Sequence, residues 1–166
     1  MRSRGISGDK LVERDRLKEI VAELKKKGKR IVLANGCFDL IHIGHIRYLK
    51  GAKAEGDILI VALNSDDSVR KLKGPPRPIL TASERAEILS AFPFIDYIVI
   101  FDELTVSSLL LDLKPDVHAK GTDYTVETVP EREIVKSYGG KTVIVGEPKL
   151  HSTSELIARI RDRVRK

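Results

Sequence analysis

The chain has 166 residues, 42% hydrophobic and 33% charged, which is room for one ordinary domain with a sizeable core. Thirty Lys and Arg against 24 Asp and Glu leave a formal charge of +6, favouring an anionic partner, for which the phosphates of a small ligand serve as well as nucleic acid. The single cysteine, Cys37, excludes an internal disulfide framework and a multi-cysteine zinc site and fits a reducing compartment. No apolar run approaches a membrane span and the opening MRSRGISGDK lacks the apolar core of a signal peptide, so a soluble cytoplasmic protein with no membrane partner is expected.

In chain order, the first element is an amphipathic helix. DKLVERDRLKEIVAELKKKGKR carries Leu17, Ile20, Val21 and Leu24 at helical spacing among charges, and Gly28 ends it. Apolar β-branched runs then alternate with helical patterns, placing strands at RIVLAN, DILIVALN, DYIVIF, PDVHAK and KTVIVG. Strands apolar on both faces need cover on both, so the expected architecture is α/β. It is a Rossmann-like open parallel sheet of about five strands with helices on both faces, plus the N-terminal helix. Ligands in such sheets bind beyond the carboxyl ends of the strands, where the strand order reverses.

The segment NGCFDLIHIGHIRYL follows the first strand and runs into a helix with Ile46, Leu49 and Ala52 on one side. Gly36 permits close backbone approach there. His42 and His45, three apart at the start of the helix, can face one crevice. Two imidazoles and a helix N-terminus form a site for anionic oxygen. The alternative is that one histidine caps the turn while the other packs in the core. No third His, Cys or HExxH-like partner completes a shell, so no metal site is expected in the protein. In NSDDSVRKLKGPPRPILTASERAEIL, a loop with Gly74 and three prolines is expected to hold Lys71, Lys73 and Arg77, as a mobile lid over phosphates or as an exposed basic turn. Thr81 and Glu84 make a capping box for the next helix, followed by Arg85.

AKGTDYT, after the fourth strand, sets Gly121 where backbone can approach a planar base or ribose and Asp123 where it can accept from hydroxyls. Turn chemistry alone accounts for the same residues. In HSTSELIARIRDRVRK, Ser152 and Glu155 form a second capping box, while Leu156, Ile157, Ile160 and Val164 are expected to be the buried face. Free N–H groups and hydroxyls at this start also suit β- and γ-phosphates. Arg159, Arg161, Arg163 and Arg165 point to different sides of the helix and read as a solvated helix end rather than a nucleic-acid stripe, so no nucleic-acid partner is expected.

GCFDLIHIGH resembles the HxGH signature of the nucleotidyltransferase superfamily, shared with class I aminoacyl-tRNA synthetases; the chain is too short for a synthetase and carries no KMSKS-like loop. From about residue 15 to 165 it is more similar to the adenylyltransferase domain of bacterial ADP-heptose synthesis, with NGCFD, VALNSD, LKG, RP, ER, KGTDY and STS in that family's order. The resemblance implies an N-terminal helical extension over 1–28 and a nucleotidyltransferase domain over 29–166. It also implies ATP with Mg²⁺ and a sugar phosphate as small-molecule partners, and a homo-oligomer such as a dimer, although no interface stripe stands out. By the same resemblance His42, His45 and Lys73 are catalytic. Gly36, Cys37, Phe38, Asp39, Gly44, Arg85, Gly121, Asp123, Ser152, Thr153 and Ser154 would bind the nucleotide. Cys37 reads as a packing group rather than a nucleophile. Cytidylyltransferase relatives resemble RTEGIST at the last motif, where this chain has Glu147 for the arginine and Leu150 and His151 for Gly and Ile. That departure weighs against CTP. Glycerol-3-phosphate cytidylyltransferase, FMN adenylyltransferase and a non-catalytic nucleotide- or nucleic-acid-binding module stay as alternatives.

Overall fold

The computed structural model describes residues 10–148 and 151–165; the first nine residues, and Leu150 of the last motif, lie outside them. The five apolar runs form one parallel sheet: β1 (Ile31–Gly36), β2 (Ile58–Asn64), β3 (Tyr97–Phe101), β4 (Val117–Lys120) and β5 (Lys141–Ile144). Each lies within a residue or two of its expected span. Strand order is β3-β2-β1-β4-β5. Ala34 of the central strand pairs in register with Val61 on one side and Ala119 on the other. The chain therefore leaves β1 in one direction for β2 and β3, then crosses back to add β4 and β5 on the opposite flank. That reversal opens a crevice beyond the carboxyl ends of β1 and β4.

Two cores follow from this layering. Val32, Ala34, Leu59, Val61 and Leu63 pack against Leu49 and Ala52 of α2 (Ile43–Lys53) and Ala86 and Leu89 of α4 (Ala82–Ser90). Ile31, Leu33, Ile60 and Ala62 pack on the other face against α1 (Arg14–Lys26), α5 (Ser107–Leu113) and α6 (Arg132–Ser137). Leu17 and Val21 of α1 are buried in that second core, so this helix is part of the layer rather than an appendage. Gly28, with φ +73°, lets the chain turn from α1 into β1. Residues 10–12 flank the β3 edge, where Ile98 N–H donates to the Lys10 carbonyl (2.8 Å) and Val12 N–H to that of Ile98 (2.9 Å).

Two expectations need correction. Lys71 and Lys73 do not lie in the loop: they end α3 (Asp66–Lys73), whose N-cap Ser65 accepts the Ser68 N–H at 3.2 Å and whose first turn is acidic. The loop itself begins only at Gly74. The apolar stripe of α7 (Thr153–Val164) is not buried either. None of its residues is, and Ile160 and Val164 are 57% and 80% exposed. Helical periodicity identifies an apolar face, but burial needs an opposing surface, and along α7 only Leu156 and Ile157 of that face are even half-buried.

Candidate active site

The crevice is a cleft of about 350 Å³. The tip of β1 and the turn after it bring Asn35, Gly36, Cys37, Phe38 and Asp39 to its wall; His42, Gly44 and His45 come from the start of α2, and Lys73 from the end of α3. Gly121 and Asp123 follow β4, and Ser152, Thr153 and Ser154 open α7. Every expected site residue except Arg85 thus reaches one cavity.

His42 is the N-cap of α2, and its Nδ1 accepts the Gly44 N–H at 3.1 Å. His45 Nδ1 accepts the His42 N–H at 3.2 Å, and the two rings lie 4.0 Å apart between centroids. Capping and site-building therefore coexist. With both Nδ1 atoms accepting from backbone, the proton of each neutral ring sits on Nε2, which makes Nε2 a donor suited to anionic oxygen. A Cβ at Gly44 would lie 2.9 Å from His42 Cε1, so the glycine makes room for the folded-back imidazole. Phe38 is buried with φ +48°, its ring 5.4 Å from that of His45 and stacked on Tyr48 at 6.4 Å. A Cβ at Gly36 would meet the Phe38 ring at 3.1 Å, so this glycine serves the platform beneath the histidines.

The N-terminus of α7 lies beside that of α2. Ser152 Oγ accepts the Glu155 N–H (3.1 Å) while Glu155 accepts that of Ser152 (2.8 Å), the expected capping box. Thr153 Oγ1 donates to the Leu40 carbonyl at 3.4 Å, joining α7 to the turn that leads into α2. Two positive helix ends and two imidazoles therefore face one space, a favourable setting for a polyphosphate. Gly121 borders the same space, and a Cβ there would meet nothing within 4 Å. Protein packing does not demand glycine at that position.

Two expected ligand residues have other work. Asp39 lies on the cleft wall, but its buried carboxylate accepts Arg77 Nε (2.6 Å) and the N–H groups of Ile79 (2.9 Å) and Leu80 (3.0 Å). Burial pushes its pKa up, and the Leu80 and Ile79 N–H groups with the Arg77 guanidinium outweigh that, holding it below the usual carboxylate value. Asp39 therefore anchors the 77–80 strap, and Arg77 is a tethered lining residue rather than part of a free lid. Arg85 is fully buried behind the wall and donates to the carbonyls of Leu80 (3.0 Å), Cys37 (2.6 Å) and Asn64 (2.8 Å) and to Asp66 (2.8 Å). A guanidinium with these partners fixes the ends of β1 and β2 and does not line the cleft. Burial raises the Cys37 thiol's pKa despite the nearby Lys73, Arg85 and Arg77, so this thiol stays protonated at neutral pH.

Sequence reasoning missed Asn35, Tyr48, Lys120 and Tyr124, all of which line the cleft. Tyr48 Oη donates to the Ala119 carbonyl (2.6 Å) and accepts the Asn35 N–H (3.3 Å), tying α2 to β4 and β1; burial pushes its pKa well up. Lys120 Nζ stands 4.5 Å above the Tyr124 ring. The signal for these residues was position alone, at strand ends and on the cleft side of α2. Glu147 pairs with Arg47 of α2 at 3.2 Å, so where the cytidylyltransferase motif carries a cation this chain carries a neutralised acid. Among the described residues, no three His, Cys, Asp or Glu side chains cluster as a metal shell, and no helix is long and apolar enough to cross a membrane.

Residues 33–160, which include the HxGH turn and the start of α7, match the family described as cytidylyltransferase-like. The chain belongs to the cytidylyltransferase-like family. This cytidylyltransferase-like chain is 47% identical over 150 residues to the bifunctional protein HldE of Syntrophotalea carbinolica, covering 90% of this chain and 31% of that one. It is 49% identical over 146 residues to HldE of Geobacter sulfurreducens, covering 88% and 30%. It thus spans about a third of the length of these relatives. Among solved structures, a lipopolysaccharide core biosynthesis protein from Thermoplasma volcanium GSS1 matches with TM-score 0.63 and 28% identity, over 74% of this chain and all of that one. Pantoate-beta-alanine ligase from Francisella tularensis shares the fold at TM-score 0.63 and 17% identity, over 87% of this chain and 69% of that one.

Proposed function

We propose that the chain is an adenylyltransferase that moves AMP from ATP to a sugar 1-phosphate, heptose 1-phosphate, giving an ADP-sugar and pyrophosphate in the cytoplasm. The observation that carries this reading is the convergence of His42, His45 and the N-termini of α2 and α7 on one cleft at the strand-order reversal. The ordered motifs and the likeness to HldE support the sugar phosphate as acceptor.

An oxygen of the acceptor phosphate attacks the α-phosphorus of ATP in line; the new P–O bond forms as the bond to the β-phosphate oxygen breaks, and pyrophosphate carries away the charge. The acceptor is already an anion, so no strong base and no covalent enzyme intermediate are needed. The protein's part is positioning and electrostatics. His42 and His45 donate through Nε2 to oxygens around the α-phosphorus. Lys73, Thr153 and the N–H groups at the start of α7 receive the departing pyrophosphate. ATP enters as its Mg²⁺ complex, with the ion held by the nucleotide's own phosphates. Gly121 and Asp123 border the nucleoside.

Pyrophosphate release is measured with Mg²⁺, crossing ATP and CTP against heptose 1-phosphate, glycerol 3-phosphate and FMN. Release only with ATP and heptose 1-phosphate is expected. Another productive pair replaces the substrate and keeps the chemistry; nucleotide binding with no release under any pair overturns catalysis in favour of a binding module.

A further inference from the structure

His118 is fully buried in β4, paired in register with Leu33. Leu33 and Asn35 point to the same face of β1, which sets the imidazole diagonally beside the Asn35 side chain. Its Nε2 lies 2.8 Å from Asn35 Oδ1, and its Nδ1 is buried without a partner. A buried imidazole with half its polar capacity unused is costly in a strand that leucine would fill. Its one bond goes to a residue that lines the cleft.

The direction of that bond is decided by what the alternative would orphan. With the proton on Nδ1, a buried N–H would have no acceptor; with the proton on Nε2, only a lone pair is left over, which is the milder penalty. Nε2 therefore donates, and Asn35 Oδ1 is held inward as its acceptor. Burial, with Lys120 adding repulsion, lowers the ring's pKa to about 3, so it stays neutral. Asn35 is pinned at the backbone too, through its N–H to Tyr48 Oη (3.3 Å), which itself donates to the Ala119 carbonyl (2.6 Å). Its Nδ2 meets no acceptor among the described residues.

We infer that His118 is a positioning residue that locks the Asn35 amide, so that Nδ2 faces the cleft as a hydrogen-bond donor to a phosphoryl oxygen of the substrate. Without His118 the amide turns over and offers its carbonyl oxygen, which repels an anion. The phosphoryl ligand rests on the function proposed above; the lock itself rests on the geometry.

The test compares wild type with H118L, H118Q, N35A and the H118L/N35A double variant, measuring calorimetric affinity for Mg²⁺-ATP and inorganic tripolyphosphate, and melting temperature. H118L is expected to weaken both affinities about tenfold, the worth of one charge-assisted hydrogen bond, at an unchanged or higher melting temperature. H118Q, whose Nε2 sits about where the imidazole Nε2 does, restores them to within threefold. The double variant binds as N35A does. H118L within twofold of wild type, losses that multiply in the double variant, no binding of either anion by wild type, or nitrogen NMR placing the His118 proton on Nδ1 would each overturn the inference. Wild type that binds Mg²⁺-ATP but releases no pyrophosphate sinks the proposed reaction alone, since the affinity series still decides the role of His118.

Discussion

At the scale of single residues, the histidines of this chain divide by environment. His42 and His45 sit at a helix start with Nδ1 accepting backbone N–H groups, so their donor atom is set by local structure. His45→Ala removes a preorganised donor from the cleft, and the expected loss is about 10²–10³-fold in the rate of pyrophosphate release. The fold should persist, because the capping bond given up by His45 is worth about 1 kcal/mol. Steady-state rates beside circular dichroism check this; a folded variant keeping more than a tenth of the rate contradicts the role. His118 behaves oppositely. Its folded-state pKa, about 3, lies below the ordinary value of 6.5, so between these values the unfolded chain binds more protons and stability rises with pH. The stability is fully present above pH 6.5 and is lost as pH falls toward 3, with a limiting slope of about 1.4 kcal/mol per pH unit. Urea midpoints at pH 7 and pH 5 should fall for wild type and fall less for His118→Leu; equal falls would remove His118 as the cause.

At the scale of elements, Asp39 shows why the site was only partly readable. The HxGH turn, both capping boxes and all five strands were legible because each is set by local spacing: Ser152 with Glu155 and Thr81 with Glu84 need no knowledge of the rest of the chain. The partners of Asp39 come from 38 to 41 positions away, and Arg85 reaches as far as Cys37, 48 positions away; residue type alone cannot distinguish a ligand-binding acid from one that anchors a strap. The apolar side of α7 was misread for the related reason that burial depends on what lies opposite. The Asp39–Arg77 pair gives this a consequence that can be measured. The aspartate carboxylate is fully buried and the arginine nearly so, and breaking such a pair costs about 3–5 kcal/mol because the surviving charge is left desolvated. Asp39→Asn should therefore lower the chemical-denaturation free energy by that order and speed amide exchange at Ile79 and Leu80, whose N–H groups it accepts. Unchanged exchange at those two amides would mean that the strap is held by something else.

At the scale of the whole molecule, stability and ligand binding draw on different parts. The sheet is sandwiched between two packed cores, and Leu49 of α2 is fully enclosed against it. Leu49→Ala should cost about 2–5 kcal/mol, whereas Ile160→Ser on exposed α7 should change stability by less than about 0.5 kcal/mol. Within the described hydrogen bonds, α7 is fastened at its start, by the Thr153 hydroxyl donating to the Leu40 carbonyl. A triphosphate seated between the N-termini of α2 and α7 would supply the fastening that packing does not. At about a hundred times its dissociation constant, Mg²⁺-ATP should raise the global unfolding free energy by about 2.7 kcal/mol. Hydrogen exchange in the first turns of α7 should slow by more than that global term predicts, because these amides open locally in the free protein, while the β1 amides, which exchange only through global unfolding, follow the global term alone. Equal slowing in α7 and β1 would mean that the nucleotide does not use the α7 terminus, and the phosphate would then have to lie wholly on the His42–His45 side of the cleft.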